Sequence, residues 1–230
     1  MRFGLQKLTL LDYPGKVACT VFTCGCNYRC PFCHNAMLVT GRDEEMAFSR
    51  EELISFLKTR TKILDGVAIT GGEPLLHAGL PELIREIKDL GFAVKLDTNG
   101  SFPDVLKKLI DAKQIDCVAV DIKNSPAKYA MTCGSETALE KVRATVDLLK
   151  RDAVDYEFRT TVVGGFHEKG DFAEIGKWIS GAKAYFLQKF TDSGEVLALT
   201  PEMGSITDAD LENFLAEVKP FVPDAAIRGK

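Results

Sequence analysis

The chain contains no run of about 18 or more apolar residues, so no segment reads as a membrane-spanning helix. Residues 1–7 also lack the apolar stretch of a secretory leader. Neither sign of charge is in excess. With 29 basic and 33 acidic residues the net charge is -4, which gives no reason to expect nucleic acid or an anionic membrane surface as a partner. No glycine-, serine- or proline-rich linker, repeat or shift in composition divides the 230 residues, so the expectation is one domain spanning 1–230. Cysteine is absent beyond Cys133, which excludes a second cysteine-built cluster domain in the C-terminal half.

Before that point there are seven cysteines. In a secreted protein they would read as a disulfide framework; in a cytoplasmic one, the expectation here, they stay reduced as metal ligands or core fillers. Three of them stand in the run Cys26-Asn27-Tyr28-Arg29-Cys30-Pro31-Phe32-Cys33, with spacing C-x3-C-x2-C. Thiolates this close can wrap one inorganic cluster in a single loop. A [4Fe–4S] cluster normally takes four cysteines, so a three-cysteine loop leaves one iron without a protein ligand. A structural zinc site takes four ligands, usually from two pairs, and no second pair follows. His34, directly after Cys33, is a candidate fourth zinc ligand, or else a group that hydrogen-bonds within the loop. Buried thiols with no ligand role are the remaining alternative. Cys19 and Cys117 fall in predicted strands and read as core. Cys24 lies beside the loop as a rescue ligand, a redox thiol or a small apolar residue, and Cys133 takes no assignment.

Short apolar runs alternate with helical patterns along the whole length. Strands are expected at 17–23, 67–70, 92–97, 117–121, 156–163 and 184–188. Ser49 with Glu52 forms a capping box ahead of a helix carrying Leu53, Phe56 and Leu57. Pro81 and Pro103 open further helices, and Gly91 ends the first of these. Leu139, Val142, Val146 and Leu149 mark another helix. Phe172, Ile175 and Trp178 mark the next, and a last helix runs from Thr207 to a stop at Pro220. Six strand–helix units with apolar strands mean an α/β fold with a parallel sheet covered by helices. A closed barrel of this kind uses eight units, so six point to an incomplete (β/α)6 barrel with an open side.

In parallel α/β folds ligands sit at the carboxyl ends of the strands. The first predicted strand runs into the cysteine loop, where Gly25 permits a tight turn. The second ends in Thr70-Gly71-Gly72-Glu73-Pro74, which alone would be only a turn. The third ends in Asp97-Thr98-Asn99-Gly100 and the fourth in Asp121-Ile122-Lys123. Two aspartates on neighbouring strand ends repel unless a cation lies between them. Arg159, inside the fifth strand, needs a partner such as Glu157 or Asp121, or a ligand.

These motifs together resemble the radical S-adenosylmethionine (SAM) superfamily. Residues 5–16 (Leu-Gln-Lys-Leu-Thr-Leu-Leu-Asp-Tyr-Pro-Gly-Lys), the Cys-Pro-Phe-Cys-His-Asn run, Lys95-Leu96-Asp97-Thr98-Asn99-Gly100 and Tyr156-Glu157-Phe158-Arg159-Thr160-Thr161-Val162 are similar to the anaerobic ribonucleoside-triphosphate reductase activating proteins. Those are relatives of the pyruvate formate-lyase activating enzymes. The resemblance implies a [4Fe–4S] cluster on Cys26, Cys30 and Cys33, with Phe32 as the aromatic before the third cysteine and His34 beside it. It implies SAM over the open iron, with Gly71 and Gly72 admitting it and Glu73 at its ammonium. It implies a monovalent cation on Asp97, Thr98 and Asp121 with the Ala119 carbonyl, Lys123 at the SAM carboxylate or the partner, and Gln188 near the adenine. The implied activity is reductive cleavage of SAM and hydrogen abstraction from a glycine of a partner, with anaerobic ribonucleotide reductase as that partner and a flavodoxin or ferredoxin as electron donor. A radical SAM enzyme acting on a small molecule and a non-catalytic zinc module are the alternatives. The pair Thr23-Cys24 departs from the family pattern, which expects an apolar or proline-containing pair.

Overall fold

The computed structural model describes residues 1–41, 46–191, 196–198, 200 and 203–229. The chain opens with β1 (Arg2–Thr9), which lies antiparallel to β2 (Ala18–Thr23). A short α1 (Ala36–Thr40) follows, then β3 (Phe48–Ser49), antiparallel to the outer edge of β1, and α2 (Arg50–Lys58). The pattern then repeats regularly. β4 (Gly66–Gly71) leads to α3 (Leu80–Asp89), and β5 (Ala93–Thr98) to α4 (Pro103–Asp111). β6 (Cys117–Asp121) leads through α5 (Tyr129–Cys133) to α6 (Ala138–Leu149). β7 (Asp155–Val162) leads to α7 (Asp171–Trp178), and β8 (Tyr185–Lys189) to α8 (Asp208–Val218) and β9 (Ala226–Arg228).

Among the described residues the nine strands form one sheet in the order β3-β1-β2-β4-β5-β6-β7-β8-β9, parallel from β2 onward. The sheet is open, with β3 and β9 at its two edges. The six strand–helix units of the incomplete barrel are therefore present, each strand within one residue of its expected span. β1, β3 and β9 are additions that a search for apolar runs does not find. They lie toward the edges, where a strand need not be apolar on both faces.

Local signals account for the helix starts. The Ser49 hydroxyl accepts from Glu52 N at 3.2 Å while the Glu52 carboxylate accepts from Ser49 N at 2.7 Å, closing the expected capping box. Thr207 and Asp210 do the same for α8. Alternate strand residues then divide between two faces. Val21, Val67, Ile69, Val94, Leu96, Val118, Val120, Phe158 and Leu187 are buried in the core, together with helix residues such as Leu53, Leu83, Ile87, Leu106, Val142, Phe172 and Leu211. The opposite face is polar. In register across it run Lys95, Cys117 and Asp155; Asp97, Ala119 and Glu157; Asp121, Arg159 and Phe186; and Thr161, Gln188 and Arg228. Cys19 belongs to the core as expected, whereas Cys117 is half-buried on the polar face.

Leu83 is completely buried on α3, so Leu83→Ala should destabilise the protein by about 2–5 kcal/mol. The shift in urea midpoint at unchanged m-value measures it.

Candidate active site

The carboxyl ends of β2, β4, β5, β6 and β7 surround one cavity. Its lining includes Cys26, Cys30, Cys33, Gly71, Gly72, Asp97, Thr98, Asp121, Lys123 and Arg159. Phe32 and His34 line it as well. The expected cluster ligands and most of the other expected site residues thus share a single space.

The cysteine loop is shaped from within. Gly25, at φ 84°, makes the turn that L side chains resist, and its N–H donates to Leu38 O at 2.6 Å. The Arg29 guanidinium donates to Cys26 O and Tyr28 O at 2.5 and 2.8 Å, holding the loop's outer side. Two N–H groups point at the Cys26 sulfur, from Tyr28 N at 3.4 Å and Asn99 Nδ2 at 3.8 Å. Phe32 packs edge-on against Phe166, ring centres 5.3 Å apart. His34 stacks on Phe190 and bonds to Thr191 O at 2.8 Å. Leu197 N and Ala198 N donate to Cys33 O and Pro31 O, which ties the segment after β8 to the loop.

Gly71, which ends β4, and Gly72 after it hold this backbone against the cysteine loop. Gly72 N donates to Thr23 O at 3.0 Å and Glu73 N to Gly25 O at 2.8 Å. A Cβ on Gly71 would fall 2.3 Å from Thr23 O, and one on Gly72 would fall 2.0 Å from Gly25 O. Both positions therefore exclude a side chain because this backbone is stitched to the root of the cysteine loop.

Glu73 is fully buried and is not part of the cavity lining. Its carboxylate accepts from Thr98 Oγ1 at 2.7 Å, Asn99 N at 2.7 Å and Leu75 N at 3.0 Å. It braces the end of β5 from beneath. Burial pushes its pKa up from 4.5 to about 7, against the pull of those three donors.

At the rim, Arg159 spans both aspartates. Its Nε donates to Asp121 Oδ1 at 2.6 Å and its Nη2 lies 3.1 Å from Asp97 Oδ2. Lys123 pairs with Asp121 Oδ2 at 2.9 Å, and the buried Lys95 pairs with Asp97 Oδ1. Burial alone would raise the Asp121 pKa; the Arg159 and Lys123 charges outweigh it and hold the carboxylate well below its ordinary range. Part of the positive charge that two neighbouring strand-end aspartates require is thus supplied by Arg159, which lies between them.

Sequence reasoning missed several groups here. Cys133 is buried beside Cys30, and its thiol holds the Cys30 pKa down to about 7, against burial. Cys26 and Cys33 are raised by burial instead. The Lys123 ammonium favours the thiolate at all three loop cysteines. Asn99 stood in a quoted motif without a role. Lys95 went unread, although its alternation with Asp97 places both on the polar face. Cys24 is buried, and its carbonyl takes the His77 ring nitrogen at 2.8 Å. Glu157, one suggested partner of Arg159, is paired with Arg228 at 2.8 and 2.7 Å. Gln188 lies outside the cavity lining.

The residues suit a cluster. Three thiols line one cavity, N–H donors face one sulfur, and a cation lies near all of them. Among the described residues, no three His, Cys, Asp or Glu side chains converge as ligands of a single metal ion.

A profile of the Radical SAM superfamily matches residues 20–179, which hold this loop and cavity. The chain belongs to that superfamily. A relative from Methanocaldococcus jannaschii, named a glycyl-radical enzyme activating enzyme, is 35% identical over 195 residues, covering 81% of this chain and 78% of the relative. That degree of likeness places this radical SAM protein in the activating-enzyme family. A GTP 3',8-cyclase from Peptoclostridium acidaminophilum is 25% identical over 209 residues, 82% of this chain and 64% of the relative. Among solved structures, a domain of pyruvate-formate lyase-activating enzyme from Bacteroides vulgatus aligns with TM-score 0.58 at 14% identity, over 71% of this chain and 99% of that one. SuiB of Streptococcus suis bound to S-adenosylmethionine aligns with TM-score 0.68 at 14% identity, over 90% of this chain and 49% of that one. These two likenesses show the shared fold.

Two outcomes follow from the geometry. Gly72→Ala should displace the cysteine loop and lower iron content after anaerobic reconstitution; unchanged iron with weakened SAM binding would restore the glycine to a purely ligand-facing role. Because the folded-state pKa of Glu73 is raised, its contribution is full below the ordinary value and is lost as pH rises toward about 7. Wild-type stability should therefore fall relative to Glu73→Gln between those values, measured by urea midpoints across pH. A difference independent of pH would show the carboxylate is not raised.

Proposed function

We propose that this radical SAM protein activates a glycyl-radical enzyme by removing a hydrogen atom from a glycine of its partner. The observation that carries the reading is the shared cavity: Cys26, Cys30 and Cys33 line the same space as Gly71, Gly72, Asp97, Thr98, Asp121 and Lys123. The M. jannaschii relative's name supports the same activity.

When bound on the three cysteines, a [4Fe–4S] cluster supplies the electron that splits SAM into methionine and a 5′-deoxyadenosyl radical. The protein's part is to bind, orient and shield. Tyr28 N and Asn99 Nδ2 direct N–H dipoles at the Cys26 thiolate, and Lys123 offsets the negative charge gathered on the loop. The cavity-lining backbone at Gly71 and Gly72 receives the amino acid end of SAM, with Phe32 and His34 on the cysteine side. Glu73 keeps Thr98 and Asn99 in place beneath it. The rim carries Lys123 and Arg159 toward a carboxylate. The open sheet leaves a side through which a loop of the partner enters, and the partner's own surface then excludes water. Anaerobic ribonucleotide reductase is the proposed partner and a flavodoxin or ferredoxin the proposed electron donor, in an anaerobic cytoplasm. No helix among the described residues is long and apolar enough to cross a membrane.

The test incubates reduced, reconstituted protein with SAM, with and without an anaerobic ribonucleotide reductase. A glycyl doublet on the partner in electron paramagnetic resonance, with faster SAM cleavage than without partner, is expected. Stoichiometric turnover of a nucleotide or other metabolite with no protein radical would favour a small-molecule substrate, as the name of the cyclase relative suggests. Stoichiometric zinc in place of iron would end the radical reading.

A further inference from the structure

One buried side-chain amide at the cavity has its direction fixed by its neighbours. Asn99 lines the cavity just beyond the end of β5. Its Oδ1 accepts from Ser101 N at 2.9 Å and from Ser101 Oγ at 2.5 Å. Its Nδ2 donates to Asn27 Oδ1 at 2.9 Å. Asn27 Nδ2 donates in turn to Ser101 Oγ at 2.9 Å, which closes a ring of three side chains. The ring runs one way only. A flipped Asn99 would set its NH2 group against the backbone N–H of Ser101, a donor that has no rotor to turn away. One hydrogen of Nδ2 therefore serves Asn27, and the other faces the Cys26 sulfur, 3.8 Å away. The backbone of the residue is held as well, since Asn99 N donates to Glu73 Oε2 at 2.7 Å. Among the described residues, Asn99 supplies the one side-chain N–H that reaches a sulfur of the cysteine loop; the other N–H at Cys26 belongs to the backbone of Tyr28.

We propose that Asn99 is a positioning residue acting through Cys26: its amide fixes the direction of that sulfur and makes a cluster bound there easier to reduce. The reason is electrostatic. An N–H dipole aimed at a thiolate ligand stabilises negative charge on it, and a reduced cluster carries one negative charge more than an oxidised one. The hydrogen bond is stronger after reduction, so the reduction potential lies higher than it would without it. Partners of this kind, one step removed from the ligands, commonly orient and tune a metal site. Asn27 follows Cys26 directly, so the ring that aims the amide also ties the cysteine loop to the end of β5. The inference rests on the reading that Cys26, Cys30 and Cys33 hold a cluster, and not on the identity of the partner enzyme or electron donor.

The test is a redox titration of full-length, anaerobically reconstituted protein without SAM, with the reduced cluster followed by electron paramagnetic resonance. Asn99→Asp keeps the shape of the side chain and still accepts from Ser101, but it sets a carboxylate oxygen where the N–H stood. Asn99→Ala removes the donor and adds no charge. Both should retain iron and shift the midpoint to more negative potential, Asn99→Asp further than Asn99→Ala. Ser101→Ala loosens the ring but leaves the Asn99 N–H and the Ser101 N–H in place, so its shift should be smaller than that of Asn99→Ala. A residue that only tied the two segments together would lower the thermal midpoint in all three variants and leave the potential unmoved, which overturns the proposal. A shift to more positive potential in Asn99→Asp overturns it too. So does loss of iron from both Asn99 variants, because the residue would then build the loop and not tune it. If one Asn99 variant alone assembles a cluster, the direction of its shift decides. Wild type that takes up no iron is a separate failure, that of the cluster reading itself, and the inference falls with it.

Discussion

The close approach of two backbones holds this site together. The end of β4 lies so near the root of the cysteine loop that neither Gly71 nor Gly72 has room for a Cβ. Two hydrogen bonds, Gly72 N to Thr23 O and Glu73 N to Gly25 O, lock that approach. Everything that follows is placed by it. The loop carrying Cys26, Cys30 and Cys33 starts from Thr23–Gly25, and the carboxylate that braces Thr98 and Asn99 belongs to Glu73, the residue after Gly72. A movement of this seam would shift the cysteines and the end of β5 together. The Gly71-Gly72-Glu73 run is thus a packing device.

Charge is the second constraint. A parallel sheet covered by helices on one face needs apolar residues there, and the buried valines, isoleucines and leucines of β2 and β4–β8 meet that need. The other face of an open sheet is free to carry polar groups, provided they are paired. Lys95, Asp97, Asp121, Lys123, Glu157, Arg159 and Arg228 are paired throughout. Parallel register brings them into adjacent rows, so that groups far apart in sequence become neighbours within hydrogen-bond distance. Asp97, Asp121, Lys123 and Arg159 of this network also line the cysteine cavity.

Membership of the radical SAM superfamily and the likeness to an activating enzyme agree with the open side of the sheet. A partner loop needs access that a closed barrel denies. A relative named a GTP 3',8-cyclase is similar over much of the chain at lower identity, and a shared fold does not fix the substrate.

The linear order of residues determined a good deal alone. Apolar runs of strand length alternating with capped helical patterns required a parallel α/β sheet, because parallel neighbours need a helical crossover between them. The spacing of Cys26, Cys30 and Cys33 required one loop with three thiols. The motifs after β4, β5 and β6 had to meet at one rim, because parallel strands all end on the same side. Other features are long-range and left no local trace. β1, β3 and β9 exist because a sheet edge accepts short or mixed strands next to an established neighbour. Cys133 reaches Cys30 only because α5 packs beneath the loop. The duty of Gly72 depends on a carbonyl 47 residues earlier in the chain, at Gly25. Two aspartates on adjacent strand ends announced that a cation was needed. Tertiary structure alone brought Arg159 to them, because only the register of β7 against β6 sets a guanidinium opposite Asp121 and within reach of Asp97.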